Sequence, residues 1–186
     1  MLYATLFIRL FFPHRKKSFM KNIATVIVLC IVLTSFQTEH NQISNDFIGI
    51  WTLQKCVAKQ KDGKVNYPYG EKPVGQLIYD EKGNMMVEIM KPGIKKFASA
   101  NLLQGTPEEI LPAYYGFIAY YGTYKIVPDS NLVIHHLKAC SFPNWVDQDQ
   151  RRYYEFKSKQ LILRTSFIGL EQYELTWQRL NDNGTF

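Results

Sequence analysis

Cysteine is scarce in this chain. There are three, Cys30, Cys56 and Cys140, and no Cys-x-x-Cys pair. That excludes a disulfide-dense scaffold and a zinc ribbon, which need several closely spaced thiols. The sequence also lacks a Gly-rich phosphate loop, a His-Glu-x-x-His helix and a nucleophile-elbow serine. The best-defined nucleotide, metalloprotease and α/β-hydrolase signatures go with them. No internal repeat and no low-complexity tract is present. Charge of one sign is missing from the body as well. The formal net charge is +6, but Arg9, Arg15, Lys16, Lys17 and Lys21 supply five of the 22 basic residues. The other 17 basic residues face 16 acids. A body this close to neutral lacks the field that phosphate backbones require, so a nucleic-acid partner is not expected.

Long hydrophobic runs are short of a membrane span. The apolar stretch Ala24–Leu33 follows a basic segment ending in Met20-Lys21 and gives way to Thr34, Ser35 and the polar Thr38-Glu39-His40. A positive start, a short apolar middle and a polar exit read as a secretory signal peptide. The chain is therefore expected to be exported, periplasmic or secreted, with no stable membrane span after cleavage. Met20 makes a more compact start than Met1, so residues 1–37 are read as an N-terminal extension plus signal peptide. Lipidation at Cys30 is not favoured, because Leu29 before it is not small. Cys56 and Cys140 are read as buried free thiols, with a pairing between them left open.

What the sequence has in quantity is aromatic residues, 15% of the chain. After a polar lead-in over 38–46, the body from 47 to 180 consists of short apolar segments separated by turn signals, which is an all-β pattern. Strands are expected over Ile48–Ala58, Val65–Tyr69, Val74–Tyr79, Met85–Met90, Ala119–Val127, Leu132–Ala139, Gln150–Lys157, Gln160–Thr165 and Glu171–Arg179. Asp62-Gly63 and Lys82-Gly83-Asn84 mark tight turns. The last strand alternates cleanly, with Tyr173, Leu175 and Trp177 on one face. One interruption is helical: Thr106 as N-cap, then Pro107, Glu108 and Glu109, with apolar residues from Ile110 to Ile118. This helix is expected to cross or plug one end of the sheet structure. The acids Glu108 and Glu109 suit a helix start better than a catalytic pair. The pattern predicts a closed antiparallel up-and-down barrel of about eight strands with one short helix after the early strands, and a frayed tail over 181–186.

Gly49-Ile50-Trp51 at the head of the first strand resembles the Gly-x-Trp that opens lipocalins. Pro73-Val74-Gly75-Gln76-Leu77-Ile78-Tyr79, Gly105-Thr106-Pro107-Glu108-Glu109-Ile110, Tyr121-Gly122-Thr123-Tyr124, His135-His136, Ser141-Phe142-Pro143-Asn144-Trp145-Val146 and Leu163-Arg164-Thr165 extend the likeness. Together they resemble the bacterial and fungal lipocalin-like domain family over about residues 46–180. The resemblance implies a calycin-type barrel and brings no agreed catalytic residues with it. It also implies that Trp51 packs under a basic residue of the last strand, Arg179, with Arg164 as the fallback.

Six residues are candidates for contact with a ligand: Tyr121, Tyr124, His135, Trp145, Arg152 and Tyr154. Neighbours on a strand point opposite ways, so His135 and His136 do not make a chelating pair, and the shared parity of Val133, Leu137 and Ala139 points His135 inward. It is a core histidine held by a tyrosine or the backbone, a ligand contact, or a base. Trp145 sits on a loop with Pro143 and Asn144, as a pocket lip or a core cap. Arg152 shares parity with Tyr154; an inward arginine needs an acid or an anionic ligand. The tyrosines around 114–124 suit a mixed-polarity pocket or ordinary core packing.

The leading expectation is an exported protein binding a small hydrophobic or amphipathic molecule in the barrel, without cofactor or metal. One alternative is an isomerase, cyclase or hydrolase using His135, Tyr124 and Arg152. Another is an envelope structural or interaction protein with a filled core. A cavity lined by His and Arg separates the first two from the third.

Overall fold

The computed structural model describes residues 45–101 and 103–180. The expected signal peptide, the Met20 start, Cys30, most of the lead-in and the tail lie outside the described residues.

Nine strands form one antiparallel sheet: β1 Gly49–Gln60, β2 Val65–Asn66, β3 Val74–Tyr79, β4 Asn84–Met90, β5 Phe117–Val127, β6 Leu132–Cys140, β7 Asp149–Lys157, β8 Gln160–Thr165 and β9 Glu171–Arg179. β1 pairs with both β3 and β9, so eight strands close into a barrel in up-and-down order, and short β2 hangs on the far end of β1. Closure leaves no barrel strand with an unpaired edge. Alternation drives it. In β4 the residues Met85, Val87 and Ile89 are buried, and Met86, Glu88 and Met90 between them are exposed. β2 is shorter than the expected Val65–Tyr69 strand, because Pro68 breaks the pairing and Gly70 turns the chain.

One barrel end is sealed. Phe47, fully buried, packs edge-on against Tyr79, Tyr154 and Phe156 at centroid distances of 5.4, 4.9 and 5.1 Å. Trp51 lies beside it and donates its indole N–H to the Phe47 carbonyl at 2.9 Å. Above Trp51 sits Arg179, its guanidinium 4.3 Å from the ring centroid, donating to the carbonyls of Ile48 and Asp46. Strand register brings the two together, since Trp51 is paired with Arg179. Arg164 is engaged elsewhere, with Glu174 at 2.6 Å and Glu155 at 2.9 Å.

The helix α1, Pro107–Tyr115, does not plug the barrel. None of its residues is buried, and it lies outside against the 91–105 connection. Glu109 fixes it there, accepting N–H bonds from Thr106 at 2.9 Å and Ala98 at 2.7 Å. It also ends earlier than its apolar spacing suggests. Gly116 stops it, donating to the Pro112 carbonyl and accepting from Lys91. A Cβ on Gly116 would sit 2.6 Å from Ile94 and 2.8 Å from that carbonyl, so only glycine fits. Phe117 and Ile118 then start β5 instead of extending the helix.

Candidate ligand-binding cavity

The barrel core is not filled. Between the sealed end and the opposite mouth lies a cavity of about 230 Å³. Its walls are the inward positions of several strands: Cys56 of β1, Val87 and Ile89 of β4, Ile118 and Tyr120 of β5, His135 of β6, Arg152 of β7, Leu163 and Thr165 of β8, and Tyr173, Leu175 and Trp177 of β9. Four loop residues complete it at the mouth: Tyr69, Phe142, Trp145 and Ile168. The 3-10 turn Pro143–Trp145 sets the loop's shape, and Trp145 stands edge-on to Phe142 at 5.6 Å and to Tyr120 at 6.4 Å.

Of the six sequence candidates, the structure brings His135, Trp145 and Arg152 together on this cavity. Tyr124 and Tyr154 do not reach it. Tyr154 belongs to the aromatic packing of the sealed end, and Tyr124 lies against Tyr79 at 4.6 Å with its hydroxyl on the Asp80 carbonyl. Tyr121 faces outward and is 54% exposed. Its neighbour Tyr120 takes the inward place, as a period of two requires. Gly122, the next inward position, is where β5 and β6 approach most closely. A Cβ there would lie 1.9 Å from the His136 carbonyl oxygen, beside a bulge that inserts one extra residue in β6.

The polar wall is compact and rich in donors. His135 is buried and bonded through Nε2 to the Tyr79 hydroxyl at 2.6 Å. Burial, seconded by the Arg152 charge, holds its pKa well below the usual histidine value, so the ring is neutral. Burial likewise pushes the Tyr79 hydroxyl well up, so it keeps its proton. That proton has one acceptor, Nε2, which places the ring proton on Nδ1. Nδ1 and the Trp177 indole nitrogen have no hydrogen-bond partner among the described residues. Arg152 is 6% exposed. It donates to the Arg151 carbonyl at 2.9 Å, and none of the ion pairs among the described residues includes it. His136, by contrast, points outward and meets Asp149 at 2.9 Å.

Among the described residues no carboxylate lines this cavity. Cys56 does, but burial pushes its thiol up to about 12, so it is a poor nucleophile at neutral pH. Cys56 and Cys140 are both free thiols. No group of three or more His, Cys, Asp or Glu is placed to hold a metal among the described residues. The arrangement favours binding: an aromatic and aliphatic pocket with a few convergent donors on one side.

The model of the lipocalin-like domain matches residues 48–180. The chain belongs to this lipocalin-like domain family. Among curated relatives it is similar to the 4'-hydroxy-3'-methoxypropiophenone carrier protein ppsC of Aspergillus oryzae (strain ATCC 42149 / RIB 40), with 33% identity over 108 residues, covering 52% of this chain and 96% of that protein. Among solved structures it resembles a redesigned β-barrel at TM-score 0.38 and 11% identity, over 74% of this chain and 95% of that one. It also resembles a variant of the fluorescent protein UnaG at TM-score 0.34 and 15% identity, over 72% and 95%.

Proposed function

We propose that this lipocalin-like protein is a carrier that holds one small amphipathic molecule inside its barrel. The observation that bears most weight is the cavity itself, about 230 Å³, apolar over most of its wall and polar on one side. That is just below the roughly 300 Å³ at which drug-sized pockets begin. It suits a single-ring molecule better than a long acyl chain. The relative from Aspergillus oryzae is named as a carrier of an aryl ketone of this size class, which supports the same reading here. A cavity also weighs against a purely structural, filled-core role. The neutral His135, with Nε2 occupied by Tyr79 and no carboxylate behind it, weighs against hydrolysis.

The test is a titration with 4'-hydroxy-3'-methoxypropiophenone and with palmitate, read by tryptophan emission, since Trp145 and Trp177 line the cavity. Saturable one-to-one quenching by the ketone, with palmitate inert, is the expected result. Binding of palmitate alone, or of neither, contradicts the reading.

We further propose export, on the basic and apolar N-terminal pattern ending near Gln37. Cell fractionation with mass determination of the mature N-terminus tests it. A cytoplasmic, uncleaved chain contradicts it.

A further inference from the structure

The polar wall is unbalanced. Arg152 brings a buried guanidinium with no carboxylate partner among the described residues. Tyr120 stands beside it, half-buried, with its pKa raised by desolvation against the pull of Arg152. Thr165, paired across the strands with Arg152, already accepts the Tyr173 N–H at 3.0 Å, which leaves its hydroxyl proton free to donate. His135 Nδ1 and the Trp177 N–H are unpartnered. Five residues therefore offer protons and none offers a negative charge. A buried guanidinium is costly unless something anionic meets it. A carboxylate matches its fork geometry and accepts several hydrogen bonds at once.

Resting on the carrier reading, we propose that the ligand is a single-ring aromatic acid whose carboxylate sits on Arg152. Tyr120 and Thr165, which adjoin Arg152 on the cavity wall, are further donors, and the ring lies among the apolar residues of β4, β8 and β9. The charge selects the acid, and the volume selects one ring.

The test is calorimetric titration of the full chain with 4-hydroxycinnamate and with its neutral amide, 4-hydroxycinnamamide, which has the same ring and nearly the same shape. The acid should bind at least about tenfold tighter than the amide, the scale of a charge-assisted hydrogen bond. In Arg152→Met the acid should fall to the level of the amide, while the amide changes by less than about threefold; in Arg152→Lys part of the preference should return. Should Arg152→Met fail to fold, the comparison of acid with amide on the unaltered chain decides by itself. Equal binding of acid and amide there overturns this proposal and leaves the carrier reading standing, with Arg152 holding the Arg151 carbonyl as a structural residue. Binding of neither overturns both.

Discussion

The hydroxyl of Tyr79 and Nε2 of His135 meet at 2.6 Å inside the barrel, joining β3 to β6 across its interior. The two residues are 56 apart in sequence, and both are almost fully buried. The bond fixes which ring nitrogen of His135 carries the proton, and so makes the cavity wall a set of donors.

Removing the hydroxyl should therefore cost stability. Tyr79→Phe leaves Nε2 as a buried acceptor without a partner, a loss of about 1–3 kcal/mol. A lowered denaturation midpoint with an unchanged slope is expected. An unchanged midpoint would show that the bond contributes nothing.

His135 also sets a pH dependence. Folded, it stays neutral; unfolded, it titrates near 6.5. Below that value the unfolded chain gains a proton that the folded chain refuses, so stability falls as pH drops through about 6.5 and is complete above it. The slope approaches about 1.4 kcal/mol per pH unit. The lowered carboxylates Glu155, Glu171 and Glu174 act in the same direction, but only as pH falls below their ordinary 4.5. Urea midpoints measured from pH 7.5 to 5.5 should decline, and His135→Gln should flatten the curve. A flat profile in the unaltered chain refutes this assignment.

Arg179 should matter for stability and not for ligand choice. It stacks on Trp51 and holds two carbonyls at the sealed end, away from the cavity lining. Arg179→Met is expected to destabilise by about 2 kcal/mol, from the lost cation–π contact and charged hydrogen bonds. Affinity for any cavity ligand at a temperature where the variant is folded should stay within about threefold. A selective loss of binding without a loss of stability would place Arg179 in the site.

Much of this was legible from alternation alone. Parity in β6 points His135 inward, and the clean alternation of β9 gives three cavity residues in Tyr173, Leu175 and Trp177; in β7 parity puts Arg152 on one face with Tyr154, and the barrel makes that face the inner one. Height along the barrel axis was not legible. Tyr124 and Tyr154 share the inward parity of the cavity residues but sit in the sealed end, a position set by strand stagger. Between Tyr120 and Tyr121, alternation says that one points in; only the pairing of Tyr120 with Val87 and Cys140 settles which. Tyr69 and Ile168 reach the mouth from loops, where no periodicity applies. The helix is a second case: its apolar residues Ile110, Leu111, Tyr114 and Tyr115 stay exposed outside the barrel, and Phe47 seals the barrel at the other end.

Cys56 offers a chemical reporter of occupancy. It lines the cavity, and its raised pKa makes it slow to alkylate, whereas Cys140 lies partly open to solvent. Iodoacetamide at pH 8 should label Cys140 first. Saturating 4-hydroxycinnamate should slow Cys56 further and leave Cys140 unaffected. Equal protection of both thiols, or of neither, counts against a ligand in this cavity.

The most direct test of the account is where a bound molecule sits. Methyl-resolved NMR of the full chain, titrated with 4-hydroxycinnamate, separates the inward methyls of Val87, Ile89, Ile118, Leu163 and Leu175 from the outward methyls of Ile78 and Met86. A ligand held inside the barrel gives saturable shifts on the inward set and none on the outward pair. Shifts confined to Ile78 and Met86, or to no methyl at all, would contradict it.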